Sequence, residues 1–371
     1  MNRQRLRGLI RKEFLQIVRD PSAIAIAFVL PVVLLLLFGY GVSLDAHHVP
    51  LAVVVDQPAA QTAGFIGGLE QSEYFAPRHF TSIADARRAL MLHQVNGIVW
   101  LRGNFSRELL SGQSAPVAVW LDGVDANNAR ILEGYLQGMW QTWLQRQADA
   151  AGQPLAMPVD AQPRVWFNPA LRSRDFLVPG LIAVIMTLIG ALLTALVVAR
   201  EWERGTMEAL MASPVSMDEI LLGKLVPYFV LGMGGMLLSV AMAAWLFAVP
   251  LVGSFWLLLA CSALFLLVAL GMGLLISTLA RNQFVAAQVA VIVTFLPAFI
   301  LSGFIFDIHS MPAVVQFLTH IVAARYYVAI LQAVFLAGNV WPVVLSNSAA
   351  LALMALIFFG IARRKSRKRL D

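Results

Sequence analysis

Long stretches without a charged residue dominate this chain of 371 residues, and they predict helices that cross a membrane. The uncharged stretches cover residues 22–44, 176–199, 225–280, 282–306 and 326–362. One bilayer-spanning helix needs about 20 apolar residues, so the stretch 225–280 is long enough for two helices with a turn at Pro250–Gly253. The pattern therefore predicts six spans, at about residues 23–44, 176–199, 225–249, 255–280, 283–306 and 340–362.

The apolar segment 313–337 is not predicted to be a seventh span, because it contains His320 and Arg325. A charge at the middle of a bilayer costs about 2.5–3.5 kcal/mol, and a seventh crossing would also place the basic C-terminus outside. We therefore expect residues 307–339 to form a re-entrant hairpin on the outer side.

The positions of lysine and arginine predict the orientation of the spans. Six basic residues precede the first span, six more lie in the tail 363–371, and the loops on the same side carry four. Because basic residues concentrate in cytoplasmic segments, both termini are predicted to be cytoplasmic. On this topology the cytoplasmic parts have a net charge of +8 and the outer parts one of −2. We interpret the basic tail as a topology signal and expect no nucleic-acid partner.

The segment 1–22 has the pattern of a cytoplasmic amphipathic helix. Its basic residues mostly occupy one face, and the other face carries Leu6, Leu9, Ile10, Phe14 and Ile17. This pattern predicts a leader helix that lies on the inner leaflet and ends at Asp20–Pro21, where the chain turns into span one, 23–44. A plain basic segment flanking the first span is the alternative.

Residues 45–175 differ from the rest of the chain, because they have mixed charges and many turn signals. Short apolar segments predict strands at 50–56, 97–101, 116–121 and 164–167, and helices are predicted at 82–94 and 125–150. Alternating strands and helices indicate an α/β domain, which is long enough to bury a core of its own. The predicted fold is therefore an α-helical polytopic membrane protein with six transmembrane helices and an α/β extracytoplasmic domain inserted between spans one and two.

The loop 200–222 faces the cytoplasm on this topology, and it carries two local signals. Residues 206–212 are predicted to form a short helix that ends before Pro214. Ser216 and Glu219 have the spacing of a capping box, which predicts the start of the helix that becomes span three.

The composition excludes several kinds of chemistry. Only 13% of the residues are charged, against about 25% in soluble domains. The sequence has no P-loop, no H-E-x-x-H, no C-x-x-C and no G-x-S-x-G motif, and the adjacent pair His47-His48 makes a poor metal site. The six predicted spans also lack Asp, Glu, Lys, Arg and His, which ion-driven carriers place in the membrane. We therefore expect no catalytic residue, metal or cofactor in this chain, and any energy for transport to come from another chain.

The polar residues inside the spans are uncharged. We identify five of them as candidates for lining a translocation path for amphiphilic solutes, with helix packing as the alternative role: Thr187, Thr194, Gln288, Thr294 and Ser302. In span three, Gly235, Ser239 and Ala243 form a row of small residues that permits close approach of another helix.

Several short segments, in a fixed order around the six spans, resemble the permease subunits of type-2 ABC transporters. The matching segments are Arg11-Lys-Glu13, Arg19-Asp-Pro21 with Pro31, Glu201-Trp-Glu-Arg-Gly-Thr-Met-Glu208, Pro214, Leu301-Ser-Gly303 and Met311-Pro312. Within that class, the large outer domain resembles the multidrug-exporter permeases of bacterial inner membranes. The chain departs from the family pattern at Ala324, where members often have a proline, and this leaves the shape of the outer hairpin open.

The resemblance implies a multi-pass permease of the bacterial inner membrane that forms the path of an ABC exporter for drug-like or amphiphilic solutes. It implies a separate cytoplasmic ATPase that holds ATP and Mg²⁺, and a second permease chain, identical or paired, that packs through spans two and five. A periplasmic adaptor protein is a further candidate partner.

The resemblance also implies which residues meet the ATPase. The coupling segment would comprise Glu201, Glu203, Arg204, Gly205, Thr206, Glu208 and Pro214, with its charged groups pairing with the ATPase. The leader would dock beside it through Arg11, Lys12, Glu13, Arg19, Asp20 and Pro21. A solvated cytoplasmic loop is the alternative for the coupling segment.

Three other functions compete with this one. A permease for a lipid or a lipid-linked polysaccharide is the first, although polysaccharide permeases of this class usually lack a large outer domain. A polytopic membrane enzyme is the second, with Asp45, Asp175 and Asp307 as its candidate acids. A membrane receptor or assembly scaffold is the third.

Overall fold

The structure, a computed structural model, describes residues 2–41, 48–111, 117–124, 126–150, 152, 172–280 and 282–365. The chain forms two compact units: Met1–Ser43 together with Arg164–Asp371, and Leu44–Pro163. The first unit contains the membrane helices, and the second is the outer domain.

Among the described residues, six helices are long and apolar enough to cross a membrane. They confirm the predicted six-span fold, and a leader helix, Arg3–Val18, precedes them. Spans one to six are Pro21–Gly41, Ser173–Glu203, Met217–Trp245, Phe255–Ala280, Gln283–Leu301 and Trp341–Lys365.

Several span ends differ from their predicted positions. Span three ends at Trp245 and not at 249, and span five ends at Leu301 and not at 306. Just beyond these ends, Ala248 (φ 52°) and Gly303 (φ 83°) adopt the left-handed region, which stops a right-handed helix. At the cytoplasmic side, spans two and three run further than predicted, so their helices include charged residues such as Glu201 and Lys224.

Span two lies at the centre of the first unit. In the most apolar stretch of span two, 89% of the residues are buried inside the chain. In the corresponding stretches of spans one and five, only 22% are buried. Most of the surface of span two is already covered by its own neighbours, and the expectation that it packs against a second permease chain stays a prediction. Hydropathy does not separate a helix surrounded by protein from one surrounded by lipid, since both are apolar on all sides.

A π-helical turn precedes a Leu-Pro pair in two of the spans. In span one the turn covers Ala25–Val29 and is followed by Pro31. Because Pro31 has no N–H, the carbonyl of Ala27 has no helical donor at that position. A Cβ at Gly235 of span three would lie 2.4 Å from this carbonyl oxygen. The close approach predicted for the row of small residues is therefore confirmed at Gly235, where spans one and three meet.

The segment 307–339 contains a bent pair of helices, which cover Ala313–Thr319 and Ala323–Ala337. The two helices meet at an angle of 84°, and the pair counts as a seventh span only if it is treated as one helix. Arg325 stabilises the bend, because its guanidinium contacts the carbonyl of Gln316 and the hydroxyl of Thr319 at the end of the first helix. A re-entrant position on the outer side stays a prediction.

The second unit has an α/β fold built on a four-stranded sheet. The strand order is β2-β1-β3-β4, with β1 parallel to β2 and β3, and β4 antiparallel to β3. The strands are β1 Val49–Val55, β2 Phe75–Phe80, β3 Gly97–Leu101 and β4 Ala118–Leu121, and the helices are α1 Ala60–Glu70, α2 Ile83–Met91, α3 Phe105–Leu110 and α4 Ala126–Ala150.

Helices cover both faces of this sheet. Leu51 and Val53 of β1 point to one face and pack with the cluster under α1 and α4. Ala52 and Val54 point to the opposite face and pack under α2. The β1 strand is therefore apolar at consecutive positions, as expected for a strand buried on both sides.

The predicted α/β domain is confirmed by this sheet, although three of its elements were not predicted. Strand β2 contains Pro77 and Arg78 and lies at the edge of the sheet, where proline is tolerated. Helix α1 contains three glycines, which weaken its helical signal, and α3 has only six residues. The strand predicted at 164–167 lies outside the described residues.

Candidate functional site

Four charged side chains meet where the leader helix, span two and span three come together at the cytoplasmic side. Lys224 Nζ lies 2.9 Å from Glu13 Oε1 and 2.8 Å from Glu201 Oε1. Lys12 Nζ contacts the same two oxygen atoms at 3.3 Å and 3.1 Å. These residues alternate in charge and form one neutral group, which we call the charge network.

The charge network is largely removed from solvent. Glu13 is 2% exposed, Lys224 is 4% exposed and Glu201 is 5% exposed, whereas the Lys12 side chain is about half exposed. Partial burial opposes the protonation of Lys12, but the charges of Glu13 and Glu201 outweigh it and raise the pKa of Lys12. A buried charge is tolerated only when it is paired, so each member depends on the others. The network therefore fixes the leader to both spans.

A short helix, Thr206–Ala212, follows span two directly and contacts the charge network; we call it the coupling helix. The Thr206 hydroxyl donates a hydrogen bond to the Glu201 carboxylate. Gly205 precedes the helix with φ 67°, a left-handed conformation that turns the chain away from span two. Met207 is buried in the core of the unit, which anchors the first turn.

A second set of polar contacts joins span two to spans one and five, and we call it the polar bridge. Arg200 pairs with Asp20 and donates from Nε to Gln283 Oε1 at 3.2 Å. Glu203 accepts hydrogen bonds from the backbone N–H of Gln283, at 2.9 Å, and from its side-chain amide. Burial opposes the ionisation of Asp20, but the hydrogen bond and the charge of Arg200 lower its pKa. Asp20 also caps the first turn of span one by accepting from the N–H of Ser22.

The start of the leader helix is attached to the start of span three. Ser216 and Glu219 form the predicted capping box, and the Glu219 carboxylate also accepts from the backbone N–H of Asn2 at 2.6 Å. Arg5 donates to the carbonyl oxygen of Pro214 at 2.5 Å. The leader is thus held at both of its ends.

A polar cleft of about 740 Å³ opens beside these contacts. It lies between the leader, the start of span one and the end of span two, and four of its lining residues are basic: Lys12, Arg19, Arg200 and Arg204. Asp20 is its acidic residue. We call this feature the basic cleft; its charge suits an acidic surface of another protein.

Comparison with known proteins assigns this architecture to a family. Residues 21–364 match the family described as ABC-2 family transporter protein. The chain belongs to the ABC-2 transporter family. The matched segment contains all six spans, the outer domain and the coupling helix. A member of this family is a transporter permease and not in itself an enzyme, and the family works with an ATPase in a membrane.

Named relatives of this ABC-2 permease cover nearly its whole length. It is 44% identical to the probable multidrug ABC transporter permease YbhS of Escherichia coli, over 99% of this chain and 98% of that protein. It is 30% identical to the probable multidrug ABC transporter permease YbhR, over 94% of this chain and 98% of that protein. It is 28% identical to the inner membrane transport permease YhhJ of the same organism, over 86% and 85% of the two chains.

The coupling residues of this ABC-2 permease differ in exposure. Glu201 and Glu203 have partners inside the chain, and their pairing with the ATPase stays a prediction. Arg204 is exposed and lines the basic cleft, and Pro214 is exposed next to Arg5. For Glu208 the structure describes the helical backbone position but not the side chain.

The leader packs on protein, and not only on the membrane surface as predicted. Leu9 contacts span three at Gly223, where a Cβ would lie 2.9 Å from the Leu9 Cβ atom. Ile17 lies in the core, whereas Phe14, assigned to the same apolar face, is 36% exposed. The face turned to the protein carries Glu13, and the leader residues Arg11 and Arg19 are exposed. A carboxylate replaces an apolar side chain at the centre of this face because Lys224 lies opposite.

Four of the five candidate path residues are buried with local hydrogen bonds. The hydroxyls of Thr187 and Thr294 donate to carbonyl oxygens one turn earlier, and Ser302 accepts from the N–H of Phe304. Thr194 donates to Leu270 of span four at 2.8 Å. These contacts support helix packing within one chain. Gln288 is exposed on span five, and its role in a path stays a prediction.

Two residues of the site were not identified from the sequence. The sequence indicates Lys224 only as a topology signal, and it indicates no role for Gln283. For Lys224 a signal existed: it follows the capping box at the start of a predicted apolar span, where a lysine needs a nearby acid. For Gln283 no sequence signal distinguishes it from an ordinary residue at a helix start.

Replacement of Gly205 by alanine tests the left-handed turn before the coupling helix. A residue with a Cβ atom loses roughly 1–2 kcal/mol in this conformation, so we expect Gly205→Ala to lower the melting temperature of the purified permease by about 2–8 °C. Gly8→Ala is the matched control, because Gly8 is helical and a Cβ there meets no atom within 4 Å. Equal melting temperatures for the two variants would contradict the proposed strain.

Proposed function

We propose that this chain is the permease subunit of an ATP-driven exporter in the bacterial inner membrane, and that a cytoplasmic ATPase binds the face formed by the leader and the coupling helix. The names of the relatives support drug-like or amphiphilic solutes as its substrates and the inner membrane as its location. Lys224 carries the proposal, because this one side chain joins the leader to the end of span two, directly before the coupling helix.

The charge network gives the ATPase a rigid connection to the centre of the permease. Movement of the coupling helix is passed to Glu201 through Thr206, and from Glu201 through Lys224 to span three and the leader. Span two is the most buried span, so displacement of its cytoplasmic end shifts the helices packed around it. ATP and Mg²⁺ remain on the ATPase in this mechanism, and the permease supplies only the path.

A second permease chain completes the path in this proposal. Spans one and five are the suitable surfaces, because both leave large apolar side chains exposed, such as Leu37 of span one and Ile292 of span five. Gln288 lies on the exposed surface of span five, where it would face the partner chain or the solute.

The exposed arginine of the coupling segment provides a direct test of ATPase binding. We expect Arg204→Glu to reduce the amount of co-expressed ATPase that purifies with the tagged permease to about one fifth, since one charge contact is worth roughly 1 kcal/mol or more across an interface. Arg364→Glu makes the same charge change on the same side of the membrane, away from the basic cleft, and should retain the ATPase. Full retention by Arg204→Glu would show that the ATPase binds elsewhere.

A further inference from the structure

An apolar cleft of about 700 Å³ opens between spans three, four and six. Its walls are formed by side chains such as Leu222, Val226 and Phe229 of span three, Leu267 of span four and Phe359 of span six. Its polar lining residues are Asp218 and Arg363, which lie near the cytoplasmic ends of spans three and six. We call this feature the inner-leaflet cleft. It is separate from the basic cleft and has the opposite chemistry.

The length of the inner-leaflet cleft matches one half of a bilayer. Asp218 and Phe229 are eleven positions apart on one helix, which corresponds to about 16 Å at 1.5 Å per residue. The hydrocarbon core of a bilayer is about 30 Å thick, so one leaflet contributes about 15 Å. The cleft therefore extends from the cytoplasmic membrane surface to the middle of the membrane, which is the depth of one acyl chain.

The cytoplasmic end of this cleft carries an ion pair with an exposed cation. Arg363 pairs with Asp218 at 2.7 Å, and its side chain is 71% exposed. This contact uses one of the five N–H donors of the guanidinium, so the others are available to a phosphate. Five further basic residues follow Arg363 within six positions. Basic segments next to a span attract the anionic lipids of the cytoplasmic leaflet.

We propose that the inner-leaflet cleft binds an anionic phospholipid of the phosphatidylglycerol class, with an acyl chain along Leu222, Val226 and Phe229 and the phosphate on Arg363. The walls are apolar up to the end that carries Arg363 and Asp218, and the unused donors of Arg363 fit a linear amphiphile with one anionic group. A bound lipid connects span three, to which the leader is attached, with span six, so it stabilises the cytoplasmic side of the permease.

Lipid titration of the full-length permease tests this proposal. The delipidated protein is titrated in detergent with phosphatidylglycerol or phosphatidylcholine, and bound lipid is counted by native mass spectrometry. We expect phosphatidylglycerol to bind about fivefold more tightly, since a basic residue at the membrane surface contributes roughly 1 kcal/mol. Equal binding of the two lipids would show a non-selective lipid shell and overturn the proposal.

Charge variants at the end of the cleft separate a defined phosphate contact from the general attraction of the basic tail. We expect Arg363→Gln to remove the preference for phosphatidylglycerol, and Arg364→Gln, which changes an arginine outside the lining, to keep most of it. Asp218→Asn keeps Arg363 and removes the competing carboxylate, so it should increase phosphatidylglycerol affinity. Equal losses for Arg363→Gln and Arg364→Gln, or a loss for Asp218→Asn, would overturn the assignment of the phosphate to Arg363.

A variant that fills the cleft tests the acyl-chain position. Val226 is partly exposed at the cleft wall, so Val226→Trp fills the cleft without entering the core and should abolish selective binding. Leu237→Trp places the same side chain on an exposed position of the outer half of span three and should bind lipid normally. Retained binding in Val226→Trp overturns the proposal. The proposal is also overturned if the permease is a dimer that dissociates in Val226→Trp but not in Leu237→Trp, because a second permease chain would then occupy the cleft.

Discussion

Replacing Lys224 by methionine is expected to detach the leader helix and to uncouple the permease from its ATPase. Methionine keeps most of the volume and removes the charge, so Glu13 and Glu201 are left with Lys12 alone. Glu13 Oε2 is already buried without a hydrogen-bond partner among the described residues. Removing one partner of a buried ion pair costs about 3–5 kcal/mol, and we expect the lower end because Lys12 remains. The melting temperature of the purified permease should fall by roughly 6–12 °C.

Lys12→Met is the matched control for this variant. Lys12 contacts the same two carboxylate oxygens, but its side chain is about half exposed. When Lys12 is removed, water can therefore solvate the carboxylates in its place. Exposed ion pairs contribute about 0–1 kcal/mol to the free energy of unfolding, so we expect Lys12→Met to be less destabilising than Lys224→Met. If Lys12→Met lowers the melting temperature as much as Lys224→Met does, burial does not determine the strength of the charge network.

A double variant tests whether charge balance is the cause. Lys224→Met combined with Glu13→Gln leaves Lys12 and Glu201 as a neutral pair, so we expect it to regain part of the lost stability. If the double variant is less stable than Lys224→Met alone, the effect comes from lost packing and not from unpaired charge. Coupling is measured separately, as stimulation of the co-purified ATPase in lipid vesicles.

The six spans could be predicted from the sequence because uncharged stretches of sufficient length have few alternative structures. The burial of each span could not be predicted in the same way. Spans one and two have similar hydropathy, 2.7 and 2.8, yet span two is enclosed by protein and span one is largely exposed. The difference lies in which helices pack together, and this depends on positions such as Gly190 and Gly235 that permit a close neighbour.

The candidate site was predicted in its segments but not in its contacts. The coupling helix begins and ends at the predicted residues, Thr206 and Ala212, because Pro214 and the capping box at Ser216 restrict the backbone locally. The pairing of Glu201 with Lys224 depends on the crossing of two helices, which local sequence does not specify. A charged residue near a span end is equally compatible with an ATPase contact and with an internal ion pair, so the pairing of Glu201 inside the chain could not be predicted.

The crossing of spans two and four is expected to tolerate even one methyl group poorly. At Gly273 of span four, a Cβ would lie 2.2 Å from both the carbonyl oxygen of Ala191 and the hydroxyl of Thr194. Thr194 also donates to Leu270 across the same crossing. The Ala191 oxygen belongs to the backbone of the most buried span, so it cannot move without displacing the helix. We expect Gly273→Ala to destabilise the permease by about 3 kcal/mol, the upper part of the usual range for overpacking, and to reduce its yield in the membrane strongly.

Two further variants separate the backbone contact from the side-chain contact. Gly360→Ala in span six adds the same methyl group where no atom lies within 4 Å, so its melting temperature and membrane yield should match those of the unmodified chain. Adding Thr194→Ala to Gly273→Ala removes the hydroxyl but leaves the Ala191 oxygen in place, so only part of the stability should return. Full recovery would mean that the hydroxyl alone sets the helix distance. Incomplete recovery supports a crossing in which glycine is required because two helix backbones are in contact.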